Sequence, residues 1–175
     1  MNIKFKAIVA HTNFGIIGKG NTIPWVCKED MNFFSQMTKN SVVVMGRKTC
    51  KSLPSFPLKN RLNLVVTRNP EEPYEIDSVE SVKEIVLKHY NDYPSDNPVV
   101  WIIGGTEIYD MFRDVIDEWF VNVLSSEHNH IEEDSTIKKF DQTLLDNYFL
   151  YNKSVIDIDH QHFDHIVFTN YLRKG

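Results

Sequence analysis

Ser41-Val42-Val43-Val44-Met45-Gly46-Arg47-Lys48-Thr49 is the stretch that decides the fold. Four consecutive apolar residues, three of them β-branched, with no polar residue between them, read as a strand covered on both faces, the habit of parallel sheets flanked by helices. The glycine, two cations and hydroxyl that follow it open a helix. The same grammar returns at Val99-Val100-Trp101-Ile102-Ile103-Gly104-Gly105-Thr106-Glu107, and another apolar run covers Arg61 to Thr67. Between these two runs Val82, Ile85, Val86 and His89 recur at helical spacing. Strand, helix, strand predicts an α/β architecture.

Outward from this centre, Ile3 to Ala10 reads as a first strand and Lys28 to Thr38 as a helix with Met31, Phe34 and Met37 on one face. Between them His11 to Val26 holds Gly15, Gly18, Gly20, Asn21 and Pro24, the chemistry of a long loop. Loops of that length inside compact domains are usually functional. Trp119 to Leu124, Tyr148 to Ile158 and Phe163 to Leu172 are further strands, the last two forming a hairpin through Asp159-His160-Gln161-His162. The expected fold is a three-layer α/β sandwich with a mostly parallel central sheet and an antiparallel C-terminal hairpin. Its 175 residues, 42% hydrophobic and 25% charged, suit one domain over 1–175 without linker or repeat.

The apolar start is short and interrupted by Lys4 and Lys6, unlike a signal peptide or membrane span, so a cytoplasmic monomer is expected. Two cysteines, Cys27 and Cys50, are expected as free thiols. A net charge of -5 argues against nucleic acid as a partner. Its distribution is uneven: residues 31–70 carry seven cations and no acid, leaving -12 for the remainder. This is consistent with a groove for a polyanionic small molecule, or equally with chance clustering on a solvated face.

Two junctions carry candidate chemistry. Gly46-Arg47-Lys48-Thr49 and Gly104-Gly105-Thr106-Glu107 each place small residues and a hydroxyl at a helix start behind a buried strand, where backbone N-H groups stabilise phosphate. Neither G-x-G-x-x-G nor G-x-x-x-x-G-K-[ST] occurs, so any dinucleotide is held in another way. The third element is Asp30, on the helix after the long loop, four residues before Phe34. An acid on a mostly apolar face is costly unless a ligand or network satisfies it; a charge complementing the helix dipole is the alternative, as for Glu29.

Ile17-Gly18-Lys19-Gly20-Asn21-Thr22-Ile23-Pro24-Trp25, Asp30 five residues later, Val44-Met45-Gly46-Arg47-Lys48-Thr49 and Ile102-Ile103-Gly104-Gly105-Thr106-Glu107-Ile108-Tyr109 resemble, in order and spacing, the signatures of the dihydrofolate reductases. The resemblance runs from about Ile3 to Phe168 and implies NADPH-dependent reduction of dihydrofolate, with antifolate-like molecules as further ligands. It implies that Asp30 accepts hydrogen bonds from the pterin 2-amino group and N3, and that Trp25 packs a closing loop and holds water. Val9, Met31, Phe34, Leu53, Leu58 and Ile103 resemble the pocket wall, and Arg61 the clamp on the substrate's α-carboxylate.

For the cofactor, the resemblance assigns Gly46, Arg47, Lys48 and Thr49 to one phosphate-binding helix start and Gly104, Gly105, Thr106 and Glu107 to the other. Ile108 and Tyr109 follow in the same turn, and Ala10, Ile17, Gly18 and Asn21 come from the first strand and long loop. Thr67, Arg68 and Arg47 would take the 2'-phosphate, favouring NADPH over NADH. It also implies a cis peptide between the two glycines.

The chain departs from the family pattern at Asn122, where a Thr commonly bonds the acid; an amide can donate that bond too, and the resemblance places Asn122 with Asp30 and Trp25 among the catalytic residues and in the substrate site. It departs also at Cys50, where a Trp is frequent, and over Glu127 to Phe140, which is longer and more acidic. No metal is expected: His128, His130, His160, His162 and His165 alternate on strand or loop in the manner of solvent-facing residues. The rival readings are a reductase of the same fold acting on another heterocycle, against which the Trp25 to Asp30 spacing argues, and a binding module without turnover.

Overall fold

A computed structural model describes residues 2–175. In chain order the elements are β1 (Lys4–Thr12), β2 (Ile16–Lys19), α1 (Lys28–Thr38), β3 (Val42–Gly46), α2 (Arg47–Ser52), β4 (Leu62–Val66), β5 (Glu75–Ile76) and α3 (Val79–Asp92). There follow β6 (Val99–Ile102), α4 (Thr106–Phe112), β7 (Glu118–Ser125), β8 (Ile137–Lys139), a 3-10 turn at Gln142–Leu145, β9 (Tyr148–Asp157) and β10 (His165–Arg173). The described residues divide into two compact units, one of residues 2–7 and 38–117, the other of 8–37 and 118–175.

The first unit is the parallel sheet that the Val-rich runs predict, in the order β5-β4-β3-β6 followed by the opening residues of β1. Val42, Val43, Val44 and Met45 have no exposed surface, the reason their strand needs no polar alternation. Strand β4 has one exception to its apolar run. Asn63 turns inward and its amide bonds the Leu58 N-H at 2.9 Å, the Leu58 carbonyl at 2.9 Å and the Arg61 carbonyl at 3.0 Å, holding the chain that enters the strand. Helix α3 starts at Ser78, whose hydroxyl accepts from the Ser81 N-H, and buries Val82, Val86 and Tyr90. Tyr90 rather than His89 ends the buried face, donating its hydroxyl to the Val99 carbonyl at 2.6 Å.

The second unit is antiparallel. Strand β10 lies between β7 and β9, and β9–β10 is the expected hairpin, with a register shift at Asn170/Tyr171. Its core joins Cys27, Leu124, Phe163 and Ile166, with Ala10, Trp25, Ile158 and Phe168 packed against them. Helix α1 has the bounds that the sequence predicts but packs through Phe33, whose ring stands 4.8 Å from that of Phe168 and 6.3 Å from that of Phe120.

The expectation of an unbroken loop over 11–26 needs correction. Strand β2 lies within it and pairs with β8, inside the acidic 127–140 segment. Ile16 is wholly buried, the Phe140 N-H reaches the Gly15 carbonyl, and Lys19 meets Asp134 at 3.2 Å. The length and acidity of that segment thus match a basic, apolar strand far away in the chain.

Candidate functional site

In the second unit the strand period places Phe120, Asn122 and Leu124 on one face of β7. Asn122 is the polar member, 1% exposed, and its side-chain N-H donates to Asp30 Oδ1 at 2.8 Å. Burial raises the Asp30 pKa above the usual carboxylate range, and the Asn122 bond opposes that rise. The neighbouring acid is differently engaged: Glu29 accepts from the Cys27 thiol at 3.5 Å. Of the two acids, Asp30 is the one that meets the buried Asn122.

Around this pair, Trp25 meets Phe163 edge-on at 6.2 Å. The next residue, Val26, offers its carbonyl to His160 Nε2 at 2.9 Å, so the hairpin turn ties down the end of the long loop. Since the His162 N-H donates to His160 Nδ1, the ring's hydrogen sits on Nε2 and the ring donates to Val26. Val9 is buried and Ala10 half-buried on β1; Ile17 and Gly18 are on β2, and Asn21 is exposed in the turn after it. Phe34 is half-buried, whereas Met31, expected in the wall, is 53% exposed, because the helix turns Phe33 to the sheet.

In the first unit the two glycine junctions meet. The Gly46 N-H donates to the Gly104 carbonyl at 2.8 Å, and the Gly104–Gly105 peptide is cis. Gly104 has φ +104°, a conformation that L side chains rarely adopt, and a Cβ there would stand 3.0 Å from the Tyr109 hydroxyl. A Cβ on Gly46 would stand 3.0 Å from Ile108. Ile108 and Tyr109 are buried, so both pack the junction from within rather than presenting their side chains. Helices α2 and α4 begin at Gly46 and Gly105 with no side chain capping either, leaving backbone donors at both starts.

Arg47 changes role. Its Nε and a terminal nitrogen contact Glu75 at 3.1 and 2.8 Å, and the same terminal nitrogen reaches the Asn69 carbonyl at 2.9 Å. The Glu75 pKa is lowered because the Glu71 N-H and Arg47 both donate to it. Arg47 is therefore committed to the 69–75 segment, while Arg68, Lys48 and Glu107 are exposed and Thr49, Thr67 and Thr106 half-buried. Leu53, Leu58, Arg61 and Ile103 are half-buried, Arg61 donating to the Thr38 carbonyl at 3.2 Å, and burial lowers its pKa.

Sequence reasoning missed Asn63, Phe33, Glu75 and His160. Asn63 had a signal, a polar residue inside the buried run Leu62 to Val66; the others depend on partners distant in the chain.

The dihydrofolate reductase family model matches residues 4–173. A dihydrofolate reductase of Ureaplasma parvum is 34% identical over 119 residues, covering 68% of this chain and 74% of that protein. A bifunctional dihydrofolate reductase-thymidylate synthase of Paramecium tetraurelia is 35% identical over 109 residues, 62% of this chain but 23% of its own length, so the match spans under a quarter of that protein. The solved structure of Enterococcus faecalis dihydrofolate reductase, complexed with NADP(H) and RAB-propyl, superposes with a TM-score of 0.76 at 23% identity, covering 98% of this chain and 97% of that one. With its parallel glycine-marked sheet, its antiparallel hairpin and its half-buried acid at the start of α1, this chain belongs to the dihydrofolate reductase family.

Proposed function

We propose that the chain reduces 7,8-dihydrofolate to 5,6,7,8-tetrahydrofolate with NADPH, hydride going to C6 and a proton to N5 of the pterin. The observation that carries this reading is Asp30, a half-buried acid of the second unit with a buried amide as its partner. A carboxylate so placed accepts two roughly parallel N-H bonds from a flat heterocycle, and burial, by raising its pKa, eases exchange of a proton with bound substrate. Trp25, anchored on Phe163 at the end of the loop, limits the water that reaches this acid.

The first unit fits a dinucleotide phosphate. Two uncapped helix starts supply N-H donors, and glycines at 46, 104 and 105 keep the approach clear of side chains. When bound, the reduced nicotinamide supplies the hydride. Gly46, Lys48, Thr49, Gly104, Gly105 and Thr106 would hold its phosphates, and Arg68 and Thr67 the 2'-phosphate. Ala10, Ile17, Gly18 and Asn21 would complete the cofactor's surroundings. Val9, Phe34, Leu53, Leu58 and Ile103 would wall the substrate, and Arg61 would hold its α-carboxylate.

No described helix is long and apolar enough to cross a membrane. A single domain over 1–175, acting as a cytoplasmic monomer without nucleic acid, remains part of this proposal. The test is one assay: purified protein with NADPH and dihydrofolate, followed by the fall of reduced-nicotinamide absorbance. Oxidation that requires both compounds supports the reading; tight binding of both without oxidation would replace it with a binding module.

A further inference from the structure

The sheet face on which Phe33 rests continues toward the edge strand β9 and opens into a cleft. The register sets Phe120 opposite Asn170 and Asn170 opposite Asn152; in a neighbouring row Phe168 stands opposite Ser154. Directly opposed residues project from the same face of a sheet. Phe33 of α1 covers the Phe120 and Phe168 rings, at 6.3 and 4.8 Å. Toward β9 the side chains are short and polar, and a space of about 300 Å³ remains, walled by these rings and Ile156 and rimmed by Asn152, Ser154 and Asn170. That volume is at the lower end of small-molecule sites. Its lining residues are all distinct from those assigned above to substrate and cofactor.

The two opposed amides are already oriented by the protein. Asn170 Nδ2 donates to Glu118 Oε1 at 2.8 Å and to the Trp119 carbonyl at 3.2 Å, which engages both of its hydrogens and leaves its oxygen as the group for a ligand. Asn152 Oδ1 accepts from the Lys153 N-H at 2.9 Å, which leaves its nitrogen. One acceptor therefore stands beside one donor at the end of an aromatic cleft. We propose that this cleft is a second ligand site, for a flat heterocycle with a lactam edge, a ring N-H next to a ring C=O. The N-H donates to Asn170 Oδ1, the C=O accepts from the Asn152 amide, and the rings pack against Phe168 and Phe33. An edge with two acceptors or two donors sets like against like at one of the amides, so the pair selects by hydrogen-bond polarity.

The test titrates the whole 15N-labelled protein with 2-quinolone and with N-methyl-2-quinolone, following the side-chain amide resonances of Asn152 and Asn170. 2-Quinolone is expected to bind with a Kd on the order of 0.1–1 mM, the range of small fragments, and to shift the Asn152 resonances. The methyl compound keeps the rings and the carbonyl but loses the N-H, and should bind about tenfold more weakly, the size of one hydrogen bond. Equal affinities, binding that leaves the Asn152 resonances in place, or no binding of 2-quinolone up to about 5 mM would each overturn the inference.

Variants place the compound. Ser154→Leu fills the cleft from an exposed position on the edge strand and should abolish binding. Asn170→Leu removes the acceptor and should erase the preference for the N-H compound; because it also gives up the bonds to Glu118 and Trp119, the two compounds on wild type and Ser154→Leu decide the matter if it fails to fold. Asp30→Asn, at the proposed pterin site, should leave the quinolone affinity unchanged. Binding that Ser154→Leu does not alter, or that Asp30→Asn weakens as much, puts the compound elsewhere and overturns the second site, while the reading of Asp30 stands or falls by the NADPH oxidation assay.

Discussion

Glu75 grips Arg47 with both carboxylate oxygens, spanning 28 positions of chain, and this pair decides how the two candidate arginines divide their work. Arg47 spends its charge on holding the 69–75 segment, which leaves Arg68 the better placed to meet a 2'-phosphate. Arg68→Ala is expected to weaken NADPH by about 10- to 100-fold, the worth of a charge-assisted bond, while changing NADH by less than about twofold. Arg47→Ala, by loosening the segment, weakens both cofactors. Calorimetric titration with each nucleotide checks this, and equal losses for Arg68→Ala would remove it from the 2'-phosphate.

Asp30→Asn should keep the fold, since the Asn122 N-H can still donate to an amide oxygen. Turnover at neutral pH is expected to fall by about 100-fold or more, the usual worth of a positioned proton-handling group. Activity should recover partly in acid, where substrate enters already protonated. A pH profile of kcat/KM decides, and near-wild-type turnover at pH 7 would exclude Asp30 from the chemistry.

The same substitution should stabilise the ligand-free protein. Burial raises the folded-state pKa of Asp30, so between the unfolded value, about 3.9, and the folded one the native state holds more protons than the unfolded chain. Stability therefore falls as pH rises through that window and stays lowered above it. Asp30→Asn removes this loss, giving a gain on the order of 1 kcal/mol at pH 7 that vanishes below about pH 3. Denaturant unfolding at the two pH values measures the difference; a gain of the same size at both would show another cause.

The paired glycines are not equivalent. Gly104→Ala forces a side chain into a positive φ and against the Tyr109 hydroxyl, and is expected to cost about 1–3 kcal/mol. Gly105→Ala places its Cβ 3.6 Å from Thr49 Oγ1, an ordinary contact at negative φ, and should cost under about 1 kcal/mol. Thermal melting of the two variants ranks them.

Asn63→Leu fills the same buried volume but abandons both backbone groups of Leu58 and the Arg61 carbonyl. A loss of about 1–3 kcal/mol in urea unfolding is expected. Because Leu58 and Arg61 are proposed to touch substrate, KM for dihydrofolate should rise more than kcat falls. A variant with unchanged KM would detach this bracket from the substrate site.

The local chemistry was legible because it is short-range. An unbroken β-branched run can be satisfied only inside a parallel sheet, α1 shows its period over its whole length from Lys28 to Thr38, and glycine after a buried strand marks a helix start open to phosphate. These signals located Asp30 and both junctions. What the tertiary structure alone decided are partnerships across the chain. Asn122 lies 92 positions from Asp30, and Lys19 lies 113 from Glu132, whose carbonyl it meets as β2 joins β8. Glu75 carries no local mark of its claim on Arg47, and the seven cations of residues 31–70 gave no hint that one was already spoken for. Contacts of this kind follow from which surfaces the whole fold buries together, a sum over distant residues that leaves no period in the sequence of either partner.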